Sequence, residues 1–188
     1  MDYEFAGLPL HVLLVHAVVI GTPVLALLLV VLAAWPAARR VLWIPALVAA
    51  IGLVPLALTT IEAGKWLESR VFPSPLVQEH TSMGETIVPW VWALLVVAVA
   101  IGAWALVERV ARRRAVGAAS EDESDASQPE SPERRPASGR GAAIAAGVVL
   151  TVAAVVVGAG ATWTIVQIGE SGSRAVWEGT FSDEPLGE

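Results

Sequence analysis

The sequence predicts an all-α integral membrane protein, a four-helix bundle with both termini on the outer side of the membrane. Three observations support this prediction: the apolar composition, four apolar stretches of spanning length, and the positions of the arginines. Of the 188 residues, 55% are hydrophobic, and the mean hydropathy is +0.65. A soluble domain of this size needs far fewer apolar residues to fill its core. We therefore expect most of the chain to face the lipid bilayer.

Four apolar stretches are each long enough to span a hydrocarbon core, which requires roughly 20 helical residues. They contain no charged residue and cover about residues 10–35, 41–61, 88–107 and 142–168. We expect the first stretch to remain in the mature protein, because Asp2 and Glu4 stand where a signal peptide carries basic residues. Pro23, Pro45 and Pro55 predict kinks in the first two spans rather than breaks.

The arginines predict the orientation of these spans. Arg39 and Arg40 occupy the turn between the first two spans, and four arginines crowd into residues 109–114 after the third. The positive-inside rule places both of these segments in the cytoplasm. In contrast, residues 62–87 have four acids against two bases, and residues 170–188 have five acids against one base. We therefore expect a multi-pass protein of the cell membrane with both termini extracytoplasmic.

The chain divides into three parts. Residues 1–107 form a three-helix membrane part whose outer loop, 62–87, is expected to be partly helical. Residues 108–141 are rich in Ser, Pro, Glu, Asp and Arg, have nothing to bury, and are expected to form a disordered cytoplasmic linker. Residues 142–188 contain the fourth span and an acidic outer tail. The chain has no cysteine and no nucleic-acid motif, so disulfides, thiolate chemistry and nucleic-acid binding are not expected.

The three histidines form the constellation most suited to chemistry, because the predicted topology places His11, His16 and His80 on the outer side. His11 and His16 are five residues apart, about 140° around a helix, so the two cannot ligate one iron as a pair. His11 lies 28 residues before Arg39, and His80 lies 29 residues before Arg109. Both histidines should therefore lie at a similar depth on two helices, as the axial ligands of a haem b near the outer face would, in a cytochrome-like protein for electron transfer or sensing.

This pairing requires the third span to extend outward as helix from Ser74 and Pro75, a suitable N-cap and first helical residue. Gly84, one turn after His80, would leave room for the macrocycle. The alternative site is a divalent metal held by the three histidines and Glu62. A third interpretation is a structural or accessory subunit of a membrane complex or homo-oligomer, in which the histidines only join helices. In none of these interpretations do we expect a stand-alone enzyme.

Four segments carry a resemblance to a known family. They are FAGLPLHVLLVH at 5–16, TTIEAGKWLE at 59–68, Glu79 and His80 with Gly84, and IGESGSRAVW at 168–177. In these segments the chain resembles the family catalogued as domain of unknown function 2231, small bacterial membrane proteins, and most closely its actinobacterial branch. The resemblance implies b-type haem binding for His11, His16 and His80, and it supplies no activity.

Overall fold

The computed structural model describes residues 2–124 and 138–180, and nearly all of them are helical. The helices are α1 Leu10–Ala34, α2 Pro36–Glu68, α3 Pro75–Gly84, α4 Val88–Ser124 and α5 Ser138–Trp177, with a 3-10 turn at Glu85–Ile87 between α3 and α4. A two-residue hairpin of β1 Glu4–Phe5 with β2 Leu8–Pro9 precedes α1. The all-α class is confirmed, whereas this hairpin was not predicted.

The long helices close into a bundle. Helix α1 packs against α2 and α5, α2 packs against α4, and α4 packs against α5, while the short α3 lies on α5 and α2. Leu29 and Leu32 of α1 and Leu94 and Ile101 of α4 are fully buried at its centre. Four helical segments of the described chain are long and apolar enough to cross a membrane.

The outside of the bundle is apolar as well as the inside. Val24 of α1, Val96 of α4 and Val152 of α5 are each more than half exposed, and many other valines and leucines accompany them. A helix that is hydrophobic on all sides is typical of burial in a membrane. Apolar faces that are exposed to this extent are therefore expected of helices that face lipid.

The prolines of α1 and α2 do not break these helices, as predicted. Helices α1 and α2 run without a break through Pro23, Pro45 and Pro55. Pro89 has no N–H to donate to the Glu85 carbonyl, and the N–H of Val88 bonds that carbonyl instead, which gives the 3-10 turn. As a result α3 leads almost directly into α4, and His80 is held on a helical approach to the third span.

The start of α3 confirms the predicted cap. The side chain of Ser74 accepts a hydrogen bond from the Val77 N–H at 3.2 Å, and Pro75 is the first helical residue. The loop at 62–87 is partly helical, as expected, because α2 continues to Glu68 and α3 lies within the loop.

The predicted linker boundaries are wrong where the structure describes them. Residues 108–124 continue α4, and residues 138–141 begin α5, although disorder was expected over 108–141. The segment after Val107 is rich in alanine and arginine, which are strong helix formers, and the first proline stands at 129. An existing helix therefore continues at little cost. Residues 125–137 of the predicted linker and residues 181–188 of the predicted tail lie outside the described residues.

Glycines allow α5 to approach its neighbours closely. A Cβ at Gly158 would lie 3.1 Å from Cβ of Ala26 on α1, and a Cβ at Gly160 would overlap the indole ring of Trp90 on α4. Small residues at helix contacts are the usual means of close packing in membranes. This packing fixes the position of α5, whose far end forms part of the site described below.

Candidate functional site

A cavity of about 670 Å³ lies at the end of the bundle formed by the start of α1, the end of α2, α3 and the end of α5. Its volume falls in the range of about 300–1,000 Å³ typical of small-molecule sites. Its walls are mostly valine, isoleucine, alanine and glycine, and all three histidines line it. The cavity therefore gathers the coordinating side chains that the sequence singled out.

His11 is tied to α2 through one ring nitrogen. Its Nδ1 lies 2.9 Å from the backbone oxygen of Thr60. A carbonyl oxygen only accepts hydrogen bonds, so Nδ1 must carry the proton, and Nε2 of the neutral ring keeps a lone pair. Within the described chain that Nε2 has no hydrogen bond. Gly64 allows this approach, since a Cβ there would lie 3.0 Å from His11 Nδ1.

His80 is tied to α5 in an equivalent way. Its Nδ1 lies 3.0 Å from Oγ of Ser171, and that hydroxyl donates its single proton to the Ile168 carbonyl at 2.9 Å. The hydroxyl must therefore accept from His80, which places the ring proton on Nδ1 and leaves the lone pair on Nε2. A Cβ at Gly172 would lie 2.9 Å from His80 Cε1, so glycine lets α5 reach the ring.

The two imidazoles lie side by side. Their ring centroids are 6.2 Å apart, and their planes are inclined at 75°. A metal atom bound about 2.0–2.1 Å from a nitrogen of each ring would place the two centroids roughly 6 Å apart. The structure thus brings together the two histidines that the depth count predicts to share a level, at a spacing that suits one metal atom between them.

His16 lines the same cavity from another position on α1. Its Nδ1 donates to the Val12 carbonyl one turn earlier at 2.8 Å, and its side chain is exposed. The same reasoning leaves a lone pair on its Nε2. Among the described side chains, the imidazole contact joins His11 and His80 and does not include His16.

The remaining predicted site residues differ in their surroundings. Gly84 lines the cavity, and a Cβ there would meet nothing within 4 Å. Glu62 lies outside the cavity lining, and its Oε1 is 3.3 Å from Nζ of Lys65. The described residues include no group of three or more His, Asp or Glu that could hold a metal ion. The described residues therefore do not assemble the mixed histidine and carboxylate site, which stays a prediction.

Contacts around Trp66 and Lys65 hold the outer end of α2 in place. Tyr3 meets the Trp66 ring edge-on at a centroid distance of 6.5 Å, and the Arg70 guanidinium lies 3.9 Å from the Trp66 ring centroid. Lys65 joins α2 to the 3-10 turn through Glu85, with Nζ 2.7 Å from the carboxylate. These contacts fix the end of α2, which supplies the partner of His11, against the elements that carry His80.

Sequence reasoning missed the residues that orient the histidines. These are the Thr60 carbonyl, Gly64, Ser171 and Gly172. A backbone carbonyl has no sequence signal, and a single glycine near a helix end is usually interpreted as a cap. The one available signal was the position of these residues inside the segments 59–68 and 168–177 that carry the family resemblance.

Comparison with models of protein families, with curated proteins and with solved structures finds no match to this chain. The geometry of the site therefore carries the functional argument.

Proposed function

We propose that this chain is a multi-pass membrane protein that holds one haem b between His11 and His80 and acts in electron transfer. One observation carries the proposal. Two imidazoles on different helices, with ring centroids 6.2 Å apart, each use Nδ1 for a contact with the protein and leave Nε2 without a hydrogen bond in the described chain. Histidines that bind a metal usually donate their other N–H to a carbonyl or similar acceptor in this way.

The cavity fits a haem in its chemistry. Its apolar walls suit the faces of a macrocycle, and its volume is that of a small-molecule site. Gly64 and Gly172 keep the imidazoles close to α2 and α5, and the space beside Gly84 is open. Axial ligands from two facing helices are the arrangement by which helical bundles hold this cofactor.

The protein's own residues would tune the bound group. Haem, when bound, supplies one-electron chemistry. The Thr60 carbonyl and the Ser171 hydroxyl set the tautomer and orientation of the two rings and raise their basicity as ligands. The apolar lining excludes water, which lowers the local dielectric and so influences the reduction potential. The proposal also includes the resemblance to the domain of unknown function 2231 family, which implies b-type haem binding.

The proposal includes the location and orientation of the chain. We propose that the bundle lies in the cell membrane with both termini outside, because the bundle is apolar on its surface and six arginines, at 39, 40, 109 and 112–114, lie at the end opposite the cavity. A reporter fused after Ser120 should then behave as cytoplasmic, and one fused after Glu188 as extracytoplasmic. The reverse pattern would overturn the orientation and place the cavity inside the cell.

The absorption spectrum of the purified protein tests the cofactor. Protein expressed with an ample supply of haem and purified in detergent should contain about one haem b per chain and give a sharp α band after dithionite reduction. Protein that carries neither haem nor a stoichiometric metal would contradict the proposal. In that case the histidines join helices in an accessory subunit, and replacing them would change stability alone.

A further inference from the structure

His16 is an imidazole that the proposed haem pair leaves unused. It is exposed on α1, and the exposed side chains around it, Val12, Leu13 and Ile20, are apolar. Its Nδ1 is satisfied by the Val12 carbonyl, whereas its Nε2 has no hydrogen bond in the described chain. A polar atom without a partner on a lipid-facing surface is costly, and such residues usually mark a ligand pathway.

The position of His16 defines where a ligand would meet it. The side chain is both exposed and part of the cavity lining, so it stands at the rim where the cavity opens to the surface. Val12, Val15 and Val19 line the cavity on the same helix. A molecule dissolved in the bilayer could therefore place an apolar ring on these valines and a polar group on His16 while its tail stays in lipid.

The protonated nitrogen of His16 determines which polar group a ligand must present to the ring. With the proton on Nδ1, Nε2 of the neutral ring is an acceptor and requires a donor. A hydroquinone offers hydroxyl donors at its ring, whereas the matching quinone offers carbonyl oxygens, which only accept. The site should therefore distinguish the two oxidation states of one ligand, because the quinone would face Nε2 with no hydrogen bond.

We propose that this rim is a binding site for a lipid-soluble hydroquinone, with one hydroxyl donating to Nε2 of His16. The choice of a redox-active ring rests on the proposed function, because a ligand that binds beside an electron-transfer site is expected to carry electrons. The site discriminates by hydrogen bonding at Nε2 of His16. It does not use His11 or His80, so it can be tested apart from them.

Ligand binding to the full-length protein in phosphatidylcholine nanodiscs tests the proposal. The probes are a decyl-substituted benzoquinol kept reduced under nitrogen, the matching benzoquinone, and decanol. The wild-type protein should bind the quinol up to about tenfold more tightly than the quinone, the upper range of one hydrogen bond. His16→Phe should abolish this preference, and His16→Gln, whose amide donates as well as accepts, should bind the quinone as tightly as the quinol. Ile20→Ala, exposed on the same helix but outside the cavity lining, should behave as wild type.

Three results would overturn the proposal: equal binding of quinol and quinone by the wild type, an unchanged preference in His16→Phe, or binding of decanol as tight as that of the quinol. The haem content of each sample separates the two proposals. Protein with one haem per chain and no quinol preference would remove the binding site alone. If the protein cannot bind haem but still prefers the quinol, and this preference depends on His16, the proposed function alone is contradicted.

Discussion

At the end of the bundle where α1 turns into α2, a buried arginine of α2 forms hydrogen bonds with two other helices. Arg39 is only 3% exposed. Its Nη1 donates to the carbonyls of Leu32 and Ala33 at the end of α1, at 2.8 Å and 3.0 Å, and its Nη2 bonds Oε1 of Glu108 on α4 at 2.6 Å. At the opposite end, His11 and His80 each use one nitrogen on a neighbouring helix and keep the other for the cavity.

The difference between the two ends separates stability from function. A polar group in an apolar environment needs a partner, or it costs free energy. At the arginine end Arg39 makes hydrogen bonds to α1 and α4, which makes that end a lock between helices, although its Nε and Glu108 Oε2 are buried without a hydrogen bond. At the histidine end Nε2 of each ring has no hydrogen bond in the described chain and lies at the cavity, where the proposed function gives it a ligand. We therefore expect substitutions at the first end to change stability and those at the second to change ligand binding.

Breaking the lock should give the largest loss of stability. Arg39→Ala leaves the Glu108 carboxylate, 23% exposed, without its main partner and frees two carbonyls, so we expect a loss of about 3 kcal/mol. Reversible unfolding in mixed detergent micelles measures it. The double variant Arg39→Met with Glu108→Leu should lose less, because it leaves no charge unpaired. A single variant as stable as the wild type would show that the pair does not lock the bundle.

Helix packing in the middle of the bundle should respond less strongly. Gly160→Ala forces a methyl group against the Trp90 ring, and overpacking of this kind costs about 1–3 kcal/mol. Gly147→Ala on the same helix meets nothing within 4 Å and should be neutral or slightly stabilising, because alanine favours the helix. The same unfolding measurement compares them. Equal stability of the two variants would contradict the close contact of α5 with α4.

The histidine end should respond in ligand affinity. Ser171→Ala removes the side-chain acceptor of His80 Nδ1 and should weaken haem binding about 10–100-fold. Thr60→Ala should leave haem binding unchanged, because Thr60 accepts from His11 through its backbone carbonyl. The rate of haem transfer to a scavenging globin measures both. An equal effect of the two substitutions would mean that the Ser171 hydroxyl does not orient the ligand.

Much of the architecture followed from short-range rules. Span lengths, the Ser74 cap, the tolerated prolines and the common level of His11 and His80 all depend on helix geometry and hydropathy, which sequence reports directly. Arg39 was less predictable. The sequence placed it in a cytoplasmic turn, whereas it is buried in the first turns of α2. Its burial depends on carbonyls of another helix and on Glu108, which lies 69 residues away.

The site was predictable only in its histidine side chains. The histidines stand out because polar rings are rare in such an apolar chain. Ser171 and Gly172 act only because α5 passes His80, a contact between residues 91 positions apart for His80 and Ser171. The continuation of α4 beyond Val107 was missed because its polar composition is typical of a linker, although helix propensity favoured continuation.

The absorption and electron paramagnetic resonance spectra of His11→Ala, His80→Ala and His16→Ala, each loaded with haem, test the central claim most directly. If His11 and His80 hold the iron, each of their variants should lose the low-spin spectrum of the wild type, because one axial ligand is missing. His16→Ala should keep that spectrum. Loss of low-spin character in His16→Ala, with retention in His11→Ala, would contradict the assigned pair.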